Sequence, residues 1–96
     1  MRVEIDGTRV RTQADLHRLL AGALDFGPYY GANLNALWDR LTTDVERPVD
    51  LVWRHSETSR ALMGKEEFTQ VQDLLLEVQR QDESFDRSDR FTVLFP

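Results

Sequence analysis

The chain predicts a small α/β domain, a three-stranded parallel sheet packed with about four helices, and three observations carry that expectation. Short runs of strand formers stand at residues 2–6, 49–53 and 91–95, and the segments between them carry helical rather than hairpin periodicity. The order strand, helix, helix, strand, helix, helix, strand then favours right-handed crossovers between parallel strands. At 96 residues the chain is expected to form one domain, 1–96, large enough for a two-layer core and too small for a deep cleft plus a lid.

Arg2-Val3-Glu4-Ile5-Asp6 alternates polar and apolar residues and ends at Asp6-Gly7, which reads as a strand closed by a turn; a small hairpin through Gly7 to Val10 is also open. Thr12-Gln13-Ala14-Asp15 resembles a capping box with Asp in the Glu place. Leu16, Leu19, Leu20, Ala23 and Leu24 follow as a helical stripe, so a helix is expected over 12–24. Residues 25–32, with Gly27-Pro28 as breaker, form the one long loop. It delivers the chain to a helix capped by Asn33, in which Leu34, Leu37, Trp38 and Leu41 recur at i, i+3, i+4 and i+7. After Pro48 comes the second strand, then a short helix through about Leu62 that breaks at Gly64. Phe68, Val71, Leu75 and Val78, with Leu74 beside them, predict a long amphipathic helix over about 65–80. Residues 81–89 read as a polar connection. Phe91-Thr92-Val93-Leu94-Phe95 is so nearly continuous in apolar strand formers that burial on both faces is expected.

Composition removes several functional classes. There is no cysteine, which excludes a disulfide framework, thiolate catalysis and Cys-ligated zinc, and fits a reducing compartment. No apolar run is long enough to span a membrane and no basic-apolar leader follows Met1, so a mature cytosolic chain starting near residue 1 is expected. The net charge of −5 is uneven: residues 25–50 carry −3 and residues 65–96 carry −4, whereas 1–24 and 51–64 are each +1. Acidic surfaces repel phosphate backbones and attract basic proteins, which argues against direct nucleic-acid binding.

The helix after Asn33 holds the strongest functional signal. At 100° per residue, the side opposite its apolar stripe presents Asn35, Asp39, Thr42 and Thr43, with Trp38 on the border. Asp39 lies in the half of the helix where the macrodipole disfavours a carboxylate, and Arg40 points about a quarter-turn away. Tyr29, Tyr30 and a Gly31 turn precede it, and aromatics ringed by polar groups are the usual make-up of an interface hot spot.

Tyr29-Tyr30-Gly31 followed by Asn33-Leu34 and Ala36-Leu37-Trp38-Asp39 resembles the signature of the barstar family of small intracellular ribonuclease inhibitors. The resemblance extends to Ile5-Asp6-Gly7, Asp15-Leu16-His17, Pro28, Leu41-Thr42, Pro48 and Trp53-Arg54, and so covers nearly the whole chain. It implies a stoichiometric, one-to-one plug for the active site of a small, basic, secreted ribonuclease of guanyl preference. Asp39 would then sit where the enzyme expects the scissile phosphate. The same resemblance assigns Tyr29, Gly31, Asn33, Trp38, Asp39 and Thr42 to the interface, with Glu77 of the long helix as a peripheral acid. Asn35 and Asp44 depart from the best-known pattern, which has an acid and an aromatic there, and Gln81 is the nearest match to a further acid. These departures bear on partner choice.

Other classes are weaker. An enzyme would need a nucleophile with a base, and the two histidines, His17 and His55, have no accompanying motif. Asp39 with Asp44, or Glu66 with Glu67 and Asp73, lack the loop spacing of a calcium site, so neither metal nor cofactor is expected. A general adaptor using the same Tyr/Trp/acidic face on a non-nuclease protein remains the alternative.

Overall fold

The alternation of buried and exposed residues along the strands determines which side of the sheet is covered. In the computed structural model, which describes residues 1–96, β1 (Arg2–Asp6), β2 (Val49–Arg54) and β3 (Phe91–Leu94) form a parallel sheet in the order β1-β2-β3. The register sets Val3 beside Leu51, Ile5 beside Trp53 and Leu51 beside Val93, so all the large apolar strand residues but Val52 and Leu94 share one face. Successive crossovers of one hand carry the chain one way across the sheet, and every helix therefore lands on that face. These helices are α1 (Gln13–Leu24), α2 (Leu34–Asp39), α3 (Ser56–Met63) and α4 (Lys65–Ser84). Leu16, Leu20, Leu37, Leu41, Phe68, Val71, Leu75 and Val78 close the core against the strands, as the helical stripes predict.

The other face is open, which corrects the expectation for the last strand. Leu94 is 63% exposed and β3 is buried on one side only. Polar pairs cover this face instead: Glu4 accepts from Arg2 at 3.0 Å and from Arg54 at 2.8 Å, and Thr92 donates to Asp50 at 2.6 Å. The outer edge of β3 is also blocked, because the Phe91 and Val93 N–H groups donate to the side chains of Asp82 and Gln79, both at 2.8 Å. Such capping of an edge strand discourages pairing with another chain.

Local chemistry explains the junctions. Thr12 caps α1 by accepting from the Asp15 N–H at 3.1 Å, while Asp15 reaches back to the Arg11 N–H at 3.0 Å. Asp6-Gly7 opens a 3-10 turn over Gly7–Arg9 rather than a hairpin, with Asp6 accepting from the Thr8 N–H at 3.0 Å. A Cβ at position 7 would collide with the carbonyl oxygens of Arg54 and His55, so only glycine allows the turn to lie on the β2–α3 junction. Ser59 ties the same place together: it donates to the Gly7 carbonyl at 2.7 Å and accepts from the Trp53 indole N–H at 2.8 Å.

The long helix runs to Ser84, past the expected end near residue 80. Asp82, read as part of a solvated connection, is in fact 2% exposed and points inward. It accepts from Arg47 at 2.7 and 3.2 Å and from the Phe91 N–H, and Arg47 also donates to the carbonyls of Leu41 at 2.7 Å and Val45 at 2.8 Å. Removing one partner of a buried ion pair leaves the other charge uncompensated and costs about 3–5 kcal/mol, against about 1–3 kcal/mol for orphaning a neutral buried donor. Arg47→Met should therefore lower the urea midpoint clearly more than Ser59→Ala, at unchanged slope. Equal midpoints would show that the ion pair does not hold the fold.

Candidate protein-binding face

The loop from Phe26 to Asn33 is fastened at both ends. Tyr30 packs its ring on Phe26 at 4.7 Å between centroids and places its hydroxyl 2.6 Å from His17 Nδ1 on α1. Burial pushes the Tyr30 phenol up to about 12, against the pull of the Arg40 charge, so it keeps its proton and shares a hydrogen bond with Nδ1. His17 itself is 2% exposed, and burial lowers its pKa below the ordinary 6.5. At the far end Asn33 accepts from the Ala36 N–H at 2.8 Å, the cap its sequence position predicts.

Between these anchors the left-handed residue is Ala32, at φ 52°, and not Gly31. A left-handed alanine costs about 1–2 kcal/mol, and such strain concentrates where a loop must hold one shape. At Gly31 an added Cβ would meet Ala36 Cβ at 3.4 Å, an ordinary contact, so the fold itself does not demand glycine there. What the missing side chain leaves is exposed, bare backbone beside the start of α2.

On α2, Leu37 is fully buried, Leu34 and Trp38 lean half-buried on the core, and Asn35 and Asp39 face solvent. Asp39 has neither an ion pair nor a side-chain hydrogen bond, because Arg40 turns to Asp44 at 3.2 Å. The Trp38 indole N–H has no partner within the protein and reaches the surface. Tyr29, 90% exposed, is the most open large side chain of the loop.

The helix does not continue as a straight α-helix. From Arg40 to Asp44 it widens into a π turn, closed by the Val45 N–H donating to the Arg40 carbonyl at 3.1 Å. Thr42 is half-buried and spends its hydroxyl on the Trp38 carbonyl at 2.7 Å, whereas Thr43 is exposed. A uniform 100° wheel had set the two threonines alike beside Asp39. The β-branched Thr42-Thr43 pair, with a hydroxyl able to bond back to the preceding turn, is the only signal of this change in the sequence.

Of the residues the sequence nominates, the structure thus gathers Tyr29, Gly31, Asn33, Asn35, Trp38, Asp39 and Thr43 on the exposed loop and helix, and turns the hydroxyls of Tyr30 and Thr42 inward. Glu77 lies exposed on α4, the helix against which α2 packs, and is paired with Arg80. A shallow depression of about 500 Å³ flanks the start of α2, between Gln13 and Ala14 on one side and Asn33–Asn35 on the other. No three His, Cys, Asp or Glu side chains converge to hold a metal ion, and no helix is long and apolar enough to cross a membrane. The Tyr30 partner of His17, the left-handed Ala32 and the Arg47–Asp82 pair are supports that sequence reasoning did not find.

A family profile described as Barstar (barnase inhibitor) matches residues 1–95. The chain belongs to the barstar family. A curated relative, the "Putative ribonuclease inhibitor YrdF" of Bacillus subtilis (strain 168), is 43% identical over 63 residues, spanning 66% of this chain and 69% of that protein. The barstar resemblance read from residues 29–39 is therefore a family relationship, and the small α/β architecture is the one the family residues build here.

His17 gives this barstar-family chain a pH dependence of definite sign. Its folded pKa lies below the unfolded value of 6.5, so unfolding takes up a proton between the two values. Stability from this residue is complete above about pH 6.5 and is lost as pH falls from there through the folded pKa. Urea midpoints measured from pH 8 down to pH 5 should decline below about 6.5, and a His17→Gln variant should lack that decline. An unchanged decline in the variant would assign it to other groups.

Proposed function

We propose that this protein inhibits a small, basic, secreted-type ribonuclease of guanyl preference, acting in the cytoplasm as a one-to-one plug of the enzyme's active site. The observation that carries this reading is Asp39: exposed, unpaired, and set on a capped helix next to Trp38, with Tyr29 exposed on the loop that precedes it. A ribonuclease active site holds its substrate phosphate with Arg, Lys and His, and is electropositive and concave. A carboxylate on a rigid helix supplies an anion of similar charge, and charge-assisted bonds from several cationic donors strengthen as both surfaces lose water. Because no cation of its own fold holds Asp39, binding breaks no internal ion pair. The acid-rich segments 25–50 and 65–96 add steering over a Debye length of about 8 Å.

The supporting details are of one kind. The loop is already held in shape by Tyr30–His17, Ala32 and the Asn33 cap, so little ordering entropy is lost on docking. Tyr29 and Trp38 add apolar area with few rotatable bonds, and Gly31 leaves backbone accessible to close approach. The interface would then comprise Tyr29, Gly31, Asn33, Asn35, Trp38, Asp39 and Thr43, with Tyr30 and Thr42 supporting it and Glu77 at its margin. An adaptor on a non-nuclease partner would use the same face without loss of any nuclease activity.

Titration of a panel of small guanyl-specific ribonucleases tests this reading directly. At least one should lose its activity linearly up to an equimolar amount. Asp39→Ala should weaken that inhibition at least about tenfold more than Glu57→Ala on α3, a difference of about 1.4 kcal/mol. Full activity across the panel at low salt, or equal effects of the two substitutions, would overturn it.

A further inference from the structure

Most arginines of this chain are already engaged by carboxylates: Arg2 and Arg54 by Glu4, Arg18 by Asp15, Arg40 by Asp44, Arg47 by Asp82, and Arg80 by Glu77. Arg9 and Arg11 have no such partner, and they share one depression of about 270 Å³ with Thr8, Asp15 and Arg18. No apolar side chain lines it. The single carboxylate there is occupied: Asp15 accepts from the Arg11 N–H at 3.0 Å and from the Arg18 guanidinium at 2.8 Å. Those bonds hold the Asp15 carboxyl below its ordinary range, so it stays ionised and neutralises only one of the three cations.

We infer that the depression between the Gly7–Arg9 turn and the start of α1 is a binding site for a small phosphate anion, held by the Arg9 and Arg11 guanidiniums with Arg18 at its side. The lining of the depression carries three arginines against one carboxylate, a net positive charge that a dianion neutralises. Guanidinium groups match phosphate oxygens with two parallel N–H bonds, a geometry a lysine ammonium does not offer. The lining also limits the ligand. With neither an aromatic nor an aliphatic wall, nothing recognises a base or a lipid chain, so the phosphate group alone provides the affinity. The site lies apart from Tyr29 and Asp39, and its occupancy is independent of the inhibitory reading.

The test is a titration of the full chain with inorganic pyrophosphate at low ionic strength, followed through the arginine side-chain N–H resonances. Signals of Arg9, Arg11 and Arg18 should shift along a saturating curve, while those of Arg60 and Arg87, which are also unpaired and exposed, should not. R9Q/R11Q, which alters two exposed side chains, should weaken binding at least about tenfold, and R60Q should leave it unchanged. A nucleoside 5′-diphosphate should bind as pyrophosphate does. A uniform, non-saturating drift of all exposed arginines would overturn the site, and a nucleotide bound about tenfold more tightly than pyrophosphate would overturn recognition by phosphate alone.

Discussion

Arg47 and Asp82 form the joint on which the rest of the molecule depends. Their side chains are 8% and 3% exposed, and between them they bind four separate parts of the chain. Arg47 holds the Leu41 and Val45 carbonyls of the π turn and its cap, Asp82 belongs to the last turn of α4, and Asp82 also satisfies the first edge N–H of β3. Burial of the carboxylate by itself raises its pKa. The Arg47 guanidinium and the Phe91 N–H outweigh that and leave it below the ordinary 3.8, so the pair stays charged at neutral pH and weakens only in strong acid. Desolvating two charges makes the pair a poor source of net stability, but an excellent enforcer of geometry, because neither partner tolerates the loss of the other.

That geometry decides what α2 can display. With its C-terminal end clamped by Arg47 and its N-terminal end capped by Asn33, a helix of only two turns is kept rigid despite its length. Leu37 and Leu41 fix its rotation by occupying the core, and Asp39 is consequently turned to solvent. Arg40, the one cation close along the chain, is drawn to Asp44 across the π turn. An unneutralised carboxylate on a fixed support is thus a product of packing elsewhere. The family profile that the chain matches is described as Barstar (barnase inhibitor), and this unneutralised carboxylate is the feature on which the proposed inhibition rests.

Much of this was legible in the sequence. Periodicity gave the α4 core positions Phe68, Val71, Leu75 and Val78, and the side-chain chemistry of Thr12 and Asn33 gave both caps, since each is a local rule. The Tyr29–Asp39 segment announced itself by aromatics next to an acid without a partner. What escaped depends on contacts across the fold. Asp82 looks like linker until Arg47, 35 residues earlier, is brought beside it. Phe91–Leu94 looks doubly buried until the one-way strand order leaves a face bare. The left-handed Ala32 and the inward Tyr30 hydroxyl are set by α1 and by the helix that follows, and a glycine next door drew attention to the wrong residue.

The central claim is that Asp39 takes the place of a phosphate among the cations of a ribonuclease. A double-mutant cycle tests it most directly, pairing Asp39→Ala in this protein with alanine replacement of the phosphate-binding arginine in an enzyme that it inhibits. Side chains that meet should show a coupling energy above about 1 kcal/mol, whereas distant ones add within about 0.5 kcal/mol. Strong coupling is the result expected here; additivity would mean that the carboxylate lies outside the phosphate pocket and that the inhibitor acts in another way.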